Sequence, residues 1–382
     1  MKRTVVVQLN PNPEQSAILT QTLGEYTDCY NTVCIEGFTT LCKNGVELHK
    51  RTYYSLREKY PELPAQLVCS ARVKATESIK SALTWAKKYE KSYPKRVEKA
   101  QKYGKPIPTY KPVQSPHSAC CSIRYDNRSY WVKFEKQTAS LATVSGRMEL
   151  NFIIPKHAIK YIDGKIASAD LCYRHGKFTL HIVVELPSPQ IASIPNVIGI
   201  DLGLNHPAVT SNHQFMGQRQ WKEQERRIFR IRRKLQAKGT KSARRHLRKL
   251  SGKLLRQRKD HDHVISKRIV QNAKPGSTIV LENLTHIRDT SKIEGKQNKR
   301  RFHSWSFTQL FDFIEYKAEA RGIQVVKVDP RHTSQTCSKC GYQARNNRRT
   351  QSLFLCRHCG YSLNADLNAS INIREKYVSS RA

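Results

Sequence analysis

Four cysteines near the C-terminus constrain what this chain can form more than any other feature. They make two C-x2-C pairs separated by fifteen residues: Cys337, Cys340, Cys356 and Cys359. Two such pairs supply four thiolates, which complete a tetrahedral structural zinc site with no open position. Gly341 and Gly360 follow the second cysteine of each pair, where a glycine lets the backbone turn back toward the sulfurs. The pattern predicts one structural Zn²⁺ bound by the four cysteines.

The alternative is a pair of disulfides or unrelated free thiols, which this spacing in a long chain disfavours. His358 lies inside the second pair, but four cysteines already fill the coordination shell, so we interpret this histidine as a bystander. The other seven cysteines have no regular spacing, which is typical of reduced, mostly buried thiols in a cytosolic protein. They are Cys29, Cys34, Cys42, Cys69, Cys120, Cys121 and Cys172.

The charge balance is the second constraint. The 382 residues include 68 Lys and Arg against 30 Asp and Glu, a formal charge of +38. Self-repulsion of this size is tolerated when a polyanion neutralises it, so nucleic acid is the expected partner. A ribosomal or membrane-surface protein is the alternative, although neither needs so long a chain. No stretch is apolar enough for a signal peptide or a membrane span, which predicts a cytoplasmic protein without a membrane partner.

The first 190 residues change from helical to β-rich patterns. A strand is predicted at residues 4–9, a capped helix start at 12–15 and a second helix beginning near residue 63. Residues 121–187 contain several short β-rich runs, which predict a small antiparallel barrel or sheet. Residues 87–112 are basic and rich in tyrosine. Their lysines could pair with phosphates and their tyrosines could stack on bases, or the segment could be a solvated basic linker.

In the second half, acids follow or interrupt apolar runs. The run at residues 197–200 predicts a buried strand ending at Asp201, and residues 277–284 predict another that presents Glu282. Asp366 opens a closing helix. Gly199 and Gly203 flank Asp201 and would leave room for a phosphate backbone.

A basic helix pair is predicted over residues 221–268, split at residues 239–240. Its dense, one-signed charge favours phosphate contacts. An amphipathic helix at 307–321 and a third buried strand at 323–328 follow.

Strand ends and a helix start in one α/β sheet can bring distant acids together. Converging carboxylates repel one another unless cations lie between them, and Mg²⁺ binds few carboxylates together with phosphate oxygens. Two such ions would activate a water and stabilise the leaving 3′ oxygen of a phosphodiester. The sequence therefore predicts a site for two Mg²⁺ ions at Asp201, Glu282 and Asp366.

These motifs resemble the TnpB family, the RNA-guided nucleases of bacterial insertion sequences and relatives of type V CRISPR effectors. The resemblance is carried by GIDLG around Asp201, IVLENL around Glu282, SQTCSKCG and LCRHCG at the cysteines, and ADLNASINI around Asp366. It covers residues 196–374, whereas the first 190 residues match in layout only. The family often has an additional aspartate where this chain has Asn364, but the catalytic position, Asp366, is intact.

The resemblance implies a multidomain α/β fold. A RuvC-like, RNase H-type nuclease domain would span residues 195–334 and 361–382, with a target nucleic-acid-binding zinc ribbon inserted at 335–360. An N-terminal β-barrel wedge domain would span 1–12 and 113–190, interrupted by a helical recognition domain at 13–112.

The resemblance also implies the activity. Asp201, Glu282 and Asp366 would be catalytic and hold two Mg²⁺ ions. A transposon-encoded guide RNA, one protein chain per RNA, would direct cutting of both strands of a double-stranded DNA beside a short flanking motif. Such a protein would work in the bacterial cytoplasm and associate with the nucleoid when bound to DNA.

Two alternatives differ in class. An RNA-guided repressor that no longer cuts should have lost an acid, and all three are present here. An accessory transposase would join strands itself, but the sequence has no evident tyrosine or serine nucleophile motif.

Overall fold

The computed structural model of this chain describes residues 1–190, 196–285, 287–291 and 293–381. The predicted domain boundary at residue 195 lies outside these ranges, as does residue 382. The chain divides into two compact units, residues 1–187 and 188–382. In the described part of the chain, no helix has both the length and the apolar composition needed to cross a membrane.

The first unit consists of three long helices and an antiparallel sheet. Its elements are β1 (Lys2–Leu9), α1 (Pro13–Thr39), α2 (Gly45–Lys59), α3 (Ala65–Lys102), β2 (Ile123–Tyr125), β3 (Tyr130–Lys133), β4 (Thr138–Thr143), β5 (Gly146–Ile153), a 3₁₀ turn (Lys156–Tyr161), β6 (Lys165–Arg174) and β7 (Lys177–Glu185). The helix α2 was not predicted, because it buries few residues: Leu48, Thr52 and Leu56.

The start of α1 is fixed by a capping box, as its sequence predicts. The Asn12 side chain accepts a hydrogen bond from the Gln15 backbone N–H (2.7 Å), and the Gln15 side chain accepts one from the Asn12 N–H (3.0 Å). This reciprocal pair satisfies two N–H groups that a helix start leaves unpaired.

The first part of the basic segment at residues 87–112 is helical, because α3 continues through Pro94 to Lys102, whereas residues 103–112 lie outside helices and strands. Three tyrosines of this region, Tyr89, Tyr93 and Tyr110, pack on one another with ring centroids 4.9–6.1 Å apart. The Tyr93 hydroxyl also donates to the Pro108 carbonyl at 2.8 Å. These tyrosines therefore fold the segment back on α3, a structural role that the sequence alone did not indicate.

The seven strands form one antiparallel sheet in the order β2-β6-β7-β1-β5-β4-β3. The turn between β6 and β7 is tight, with His175 and Gly176 both at positive φ and Arg174 opposite Lys177. The edge strands β2 and β3 are consecutive in the chain, and the Tyr125 hydroxyl on β2 donates to the Ala142 carbonyl on β4 at 3.1 Å. The sheet is thus nearly closed, which is compatible with the predicted barrel.

The second unit contains a four-stranded sheet with helices on both faces and a small hairpin. Its elements are β8 (Val197–Asp201), β9 (Val209–Thr210), α4 (Arg219–Lys238), α5 (Lys241–Asn272), β10 (Thr278–Glu282), α6 (Ile287–Thr290), α7 (Lys296–His303), α8 (Phe307–Glu319), β11 (Gln324–Val328), β12 (Leu353–Leu355), β13 (Ser362–Asn364) and α9 (Ala365–Ser379). A 3₁₀ turn at Arg345–Asn347 precedes β12.

The sheet order is β11-β10-β8-β9, in which β8 and β10 are parallel neighbours with Ile200 opposite Leu281. Because parallel strands end at the same edge, Asp201 and Glu282 end adjacent strands side by side. The alternation of side chains buries Ile279 and Leu281 against α5 and α8. Val280 faces the opposite way and packs against α9. The strands that end at Asp201 and Glu282 are therefore buried in the interior of this unit.

The basic helix pair is divided where the sequence predicts. Gly239 ends α4 in the left-handed region (φ +65°), and the Thr240 hydroxyl caps α5 by accepting from the Ala243 N–H at 3.2 Å.

Candidate active site and metal centre

The position of α9 depends on a glycine in β8. A Cβ atom at Gly199 would lie 2.1 Å from the Ser370 carbonyl oxygen and 2.6 Å from the Arg374 nitrogen, both in α9. Only glycine permits so close an approach of two backbones. The prediction that Gly199 leaves space for a phosphate backbone is therefore wrong, since α9 fills that space and carries Asp366 in its first turn.

The departure at position 364 preserves a structural function. The Asn364 side chain caps α9 by accepting from the N–H groups of Asp366 (3.0 Å) and Leu367 (3.2 Å). Asparagine and aspartate are about equally good helix caps, so either residue can fix the start of this helix.

The structure brings the three predicted acids, Asp201, Glu282 and Asp366, within electrostatic reach of one another. We call them the acid cluster. Burial, followed by the negative charges of Glu282 and Asp366, raises the pKa of Asp201 well above its usual range. Burial also raises the pKa of Glu282. Asp366 is only 5% exposed.

Two neighbours of the acid cluster were not found from the sequence. The Thr333 hydroxyl donates to Glu282 Oε1 at 2.5 Å, and an Arg348 guanidinium nitrogen donates to Asp366 Oδ1 at 3.0 Å. The charge of Arg348 also opposes the raised pKa values of Asp201 and Glu282. Arg348 lies between the two cysteine pairs in a segment of several cations, and no pattern singles it out.

The basic helix α4 also reaches this site. Burial, followed by the charges of Arg301 and Arg226, lowers the pKa of Lys222, while Asp366 acts in the opposite direction. The cationic helix α4 and the acid cluster are thus neighbours, a juxtaposition that suits a phosphodiester substrate.

The donor set of the acid cluster fits divalent cations. Carboxylate oxygens are hard ligands, which Mg²⁺ prefers. The raised pKa values of Asp201 and Glu282 reflect burial, and for Asp201 also the repulsion between the acids. A cation bound between the carboxylates would relieve both effects.

The four cysteines also converge. Their sulfur atoms all lie within 4.8 Å of one another, with Cys337 to Cys359 at 3.8 Å and Cys340 to Cys356 at 3.6 Å. A tetrahedral zinc with Zn–S bonds of about 2.3 Å requires sulfurs about 3.8 Å apart. These separations are too long for disulfide bonds, and the four thiols are free. The group could therefore hold a metal ion, and its geometry fits zinc.

The two cysteine pairs have the same local structure. Gly341 and Gly360 lie at φ +74° and +69°, as their sequence positions predict. Their N–H groups donate to the carbonyls of Cys337 (2.9 Å) and Cys356 (3.2 Å), which closes each turn. The ring of His358 stacks on Tyr342, and this histidine is not part of the four-sulfur group.

Asparagines on α9 connect residues 335–360, which we call the cysteine segment, to the acid cluster. Asn368 accepts from the Ser338 N–H (3.1 Å) and donates to the Thr336 carbonyl (2.8 Å). Asn372 donates to the carbonyls of Thr333 (2.8 Å) and Thr336 (2.7 Å). Residues 335–360 therefore carry Arg348 and also contact α9 through Thr336 and Ser338.

Two family models match the chain. The OrfB_IS605 model, described as a probable transposase, matches residues 181–288 and includes Asp201 and Glu282. The Cas12f1-like TNB domain matches residues 307–373 and includes the four cysteines, Arg348 and Asp366.

Individual relatives agree with these matches. The chain is 34% identical over 220 residues to the CRISPR-associated endodeoxyribonuclease Cas12f1 of Sulfoacidibacillus thermotolerans, covering 52% of this chain and 50% of that protein. It is 36% identical over 131 residues to the TnpB-like protein MJ0751 of Methanocaldococcus jannaschii, covering 34% of this chain and 46% of that protein. The chain thus spans about half the length of these curated relatives.

The fold agrees as well. A Cas12f1 chain solved by cryo-electron microscopy with sgRNA and target DNA superimposes with a TM-score of 0.59 at 19% identity, covering 95% of this chain and 83% of that chain. At this identity the similarity shows the fold alone, which is the one seen in the solved Cas12f1 chain. The resemblance predicted from the motifs is confirmed, and the chain is a relative of the TnpB-like and Cas12f1 proteins.

Proposed function

We propose that this chain is an RNA-guided DNA endonuclease that cuts both strands of a double-stranded target beside a short flanking motif. The observation that carries this proposal is the convergence of three buried or half-buried carboxylates beside cationic helices and a cationic cysteine segment. The name of the Cas12f1 relative, an endodeoxyribonuclease, supports the reaction class. The fold of the Cas12f1 chain solved with sgRNA and target DNA supports the partners.

Asp201, Glu282 and Asp366 would hold two Mg²⁺ ions, which when bound supply an activated water and stabilise the leaving 3′ oxygen. The protein's own contribution is to hold the acids in place. Thr333 orients Glu282 by its hydrogen bond, and the ends of β8 and β10 fix the separation of the first two acids. Arg348 holds Asp366 and could move to the substrate phosphate when cations neutralise that carboxylate.

We assign one structural Zn²⁺ to Cys337, Cys340, Cys356 and Cys359. The four thiolates fill every coordination position of the zinc, which leaves none for a substrate. The metal would therefore act by stabilising the fold of residues 335–360. Those residues carry five Lys and Arg and no Asp or Glu, which suits contact with target nucleic acid.

The guide RNA and DNA partners fit the charge of the helices. Together α4 and α5 carry twenty Lys and Arg against four acids. We propose that this pair contacts nucleic-acid phosphates, and that residues 1–12 and 113–190 form the wedge domain and residues 13–112 the recognition domain.

The RNA partner can be tested directly. Protein isolated from its own host should copurify with one defined RNA that survives a high-salt wash. Loose phosphate contacts weaken by about 0.7 to 0.9 log units per contact per tenfold salt, whereas a guide is also held by shape and by contacts to unpaired bases. The copurified RNA is sequenced, its variable end is changed, and the cut sites are mapped.

Cleavage that moves to the newly matching DNA supports the proposal. Cleavage that stays in place, or proceeds without RNA, contradicts RNA guidance. Target binding without any cleavage would instead favour the repressor, and joining of transposon ends would favour the transposase.

The raised pKa of Asp201 predicts how stability depends on pH. In the metal-free chain, burial and neighbouring acids disfavour the ionised carboxylate, so its ionisation costs folding free energy. This cost is present above the raised pKa and shrinks as pH falls below it, disappearing near the unfolded value of about 3.9. We expect metal-free Asp201→Asn to unfold at a higher temperature than the parent at pH 8, with the difference shrinking toward pH 5.

The measurement is thermal unfolding in EDTA at several pH values. A gain of about 1 kcal/mol would raise the midpoint by roughly 2–4 °C in a unit of this size. The exposed Asp312, changed to asparagine, is the matched control and should show no such pH-dependent gain. An Asp201→Asn variant that is less stable than the parent at pH 8 would contradict the predicted cost.

A further inference from the structure

A concave site also lies in the unit that contains the acid cluster. It is a cavity of about 210 Å³ between α4, α5 and α7, and it is lined at one side by Gly203 and Leu204, which closely follow Asp201. Pockets for drug-sized ligands are about 300–1,000 Å³. This cavity therefore suits one flat group rather than a length of chain.

The cavity wall is built from aromatic rings and guanidinium groups. Trp221 stacks on His261 with ring centroids 3.9 Å apart and planes at 10°. Phe229 lies under the guanidinium of Arg300 at 4.1 Å, with that of Arg258 at 6.0 Å. Both rings also line the cavity, so a flat, polarizable ligand there would add stacking or cation–π contacts to those that the rings already make.

The wall also contains a buried acceptor without a partner. Asp262 is 5% exposed, and among the described residues its Oδ2 atom has no hydrogen-bond partner. Burial raises the pKa of Asp262 to about 6, although a hydrogen bond from Ser306 and the charges of Arg258 and Lys317 act to lower it. A buried acceptor without a hydrogen bond costs folding free energy. After a small shift of the Asp262 side chain, an N–H group of a ligand could donate to this oxygen and remove that cost.

Two cations connect the cavity to the acid cluster. Lys222 lines the cavity and interacts electrostatically with Asp366. Arg301 lines it as well and donates to the Asn205 side chain at 3.1 Å, in the segment that follows Asp201. A nucleotide whose phosphate lies at the acid cluster would therefore have this cavity beside it.

We propose that the cavity receives a single unstacked base of the DNA strand being cut. Trp221 and Phe229 would contact its ring face, and Asp262 would accept a hydrogen bond from one of its N–H groups. The surrounding cations would bind the phosphates on either side of that base. This inference rests on the proposed endonuclease function and adds a base-binding subsite to it.

The test uses the complete protein–RNA complex and target DNAs in which one base at a time is removed near the cut in one strand. Base stacking contributes about 1–3 kcal/mol, which corresponds to roughly 5- to 150-fold in rate if it is realised in the transition state. We expect one position whose abasic analogue slows single-turnover cleavage by about that factor. Trp221→Ala should slow the cleavage of intact DNA by a similar factor. On the DNA that lacks the base at that position, the same variant should lower the cleavage rate little further.

Phe229→Leu provides a second variant with the same expected pattern, should Trp221→Ala fold poorly by thermal unfolding. Trp85→Ala, an exposed tryptophan in the first unit, is the matched control, and its effect should not depend on the abasic position. The subsite would be overturned if, at every abasic position, the loss of cleavage rate from the variant and the loss from the missing base combined in full. It would also be overturned if neither variant changed the cleavage rate. Absence of any DNA cleavage by the parent complex would contradict the proposed function instead.

Discussion

Replacing Asp201, Glu282 or Asp366 by alanine should abolish DNA cleavage while guide RNA and target binding remain nearly intact. Each acid is proposed to bind Mg²⁺ and makes no favourable contact with phosphate by itself. Metal stabilisation of the transition state contributes several kcal/mol, and loss of about 4 kcal/mol lowers the rate about 1,000-fold. The measurement is single-turnover cleavage in Mg²⁺, together with filter binding of the labelled target.

The exposed Asp312 on α8, changed to alanine, is the matched control and should cut at the parent rate. EDTA should have the same effect as the three active-site variants, and added Mg²⁺ should reverse it. Any one of the three variants that keeps near-normal double-strand cutting would show that the acid in question is not catalytic.

Replacing Cys340 by serine should release the zinc and reduce cleavage strongly, although Cys340 is not in the acid cluster. Structural zinc sites of this type contribute roughly 10–16 kcal/mol of apparent binding energy to local folding. Unfolding of residues 335–360 would remove Arg348 from Asp366 and break the hydrogen bonds that Asn368 and Asn372 of α9 donate to the Thr336 carbonyl. Elemental analysis, limited proteolysis and cleavage assays on the same preparation measure the three effects.

Cys120→Ser is the matched control, because Cys120 is exposed and outside the four-sulfur group. It should retain one zinc per chain and normal cleavage. Purified parent protein that contains iron, or no metal, would contradict the zinc assignment. A Cys340→Ser variant that cuts normally would show that the segment does not control the acid cluster.

Local sequence determined most of the secondary structure. The apolar runs before Asp201 and around Val280 are typical of buried strands, and both are strands in the structure. The side chains of Asn12 and Thr240 fix helix starts by hydrogen bonds to N–H groups three residues later. The two cysteine pairs likewise determine their own turns, because each glycine lies next to its pair. Such features depend on near neighbours in the chain and can be inferred from spacing.

Tertiary structure decided which distant groups meet. Nothing local to Gly199 shows that the backbone of α9 lies against it, and nothing in the cationic cysteine segment distinguishes Arg348 as the partner of Asp366. The raised pKa of Asp201 and the cavity beside Asp262 also arise from side chains far apart in sequence. Burial and Coulomb interactions depend on distance in space, which residue spacing does not specify once the chain has crossed between strands.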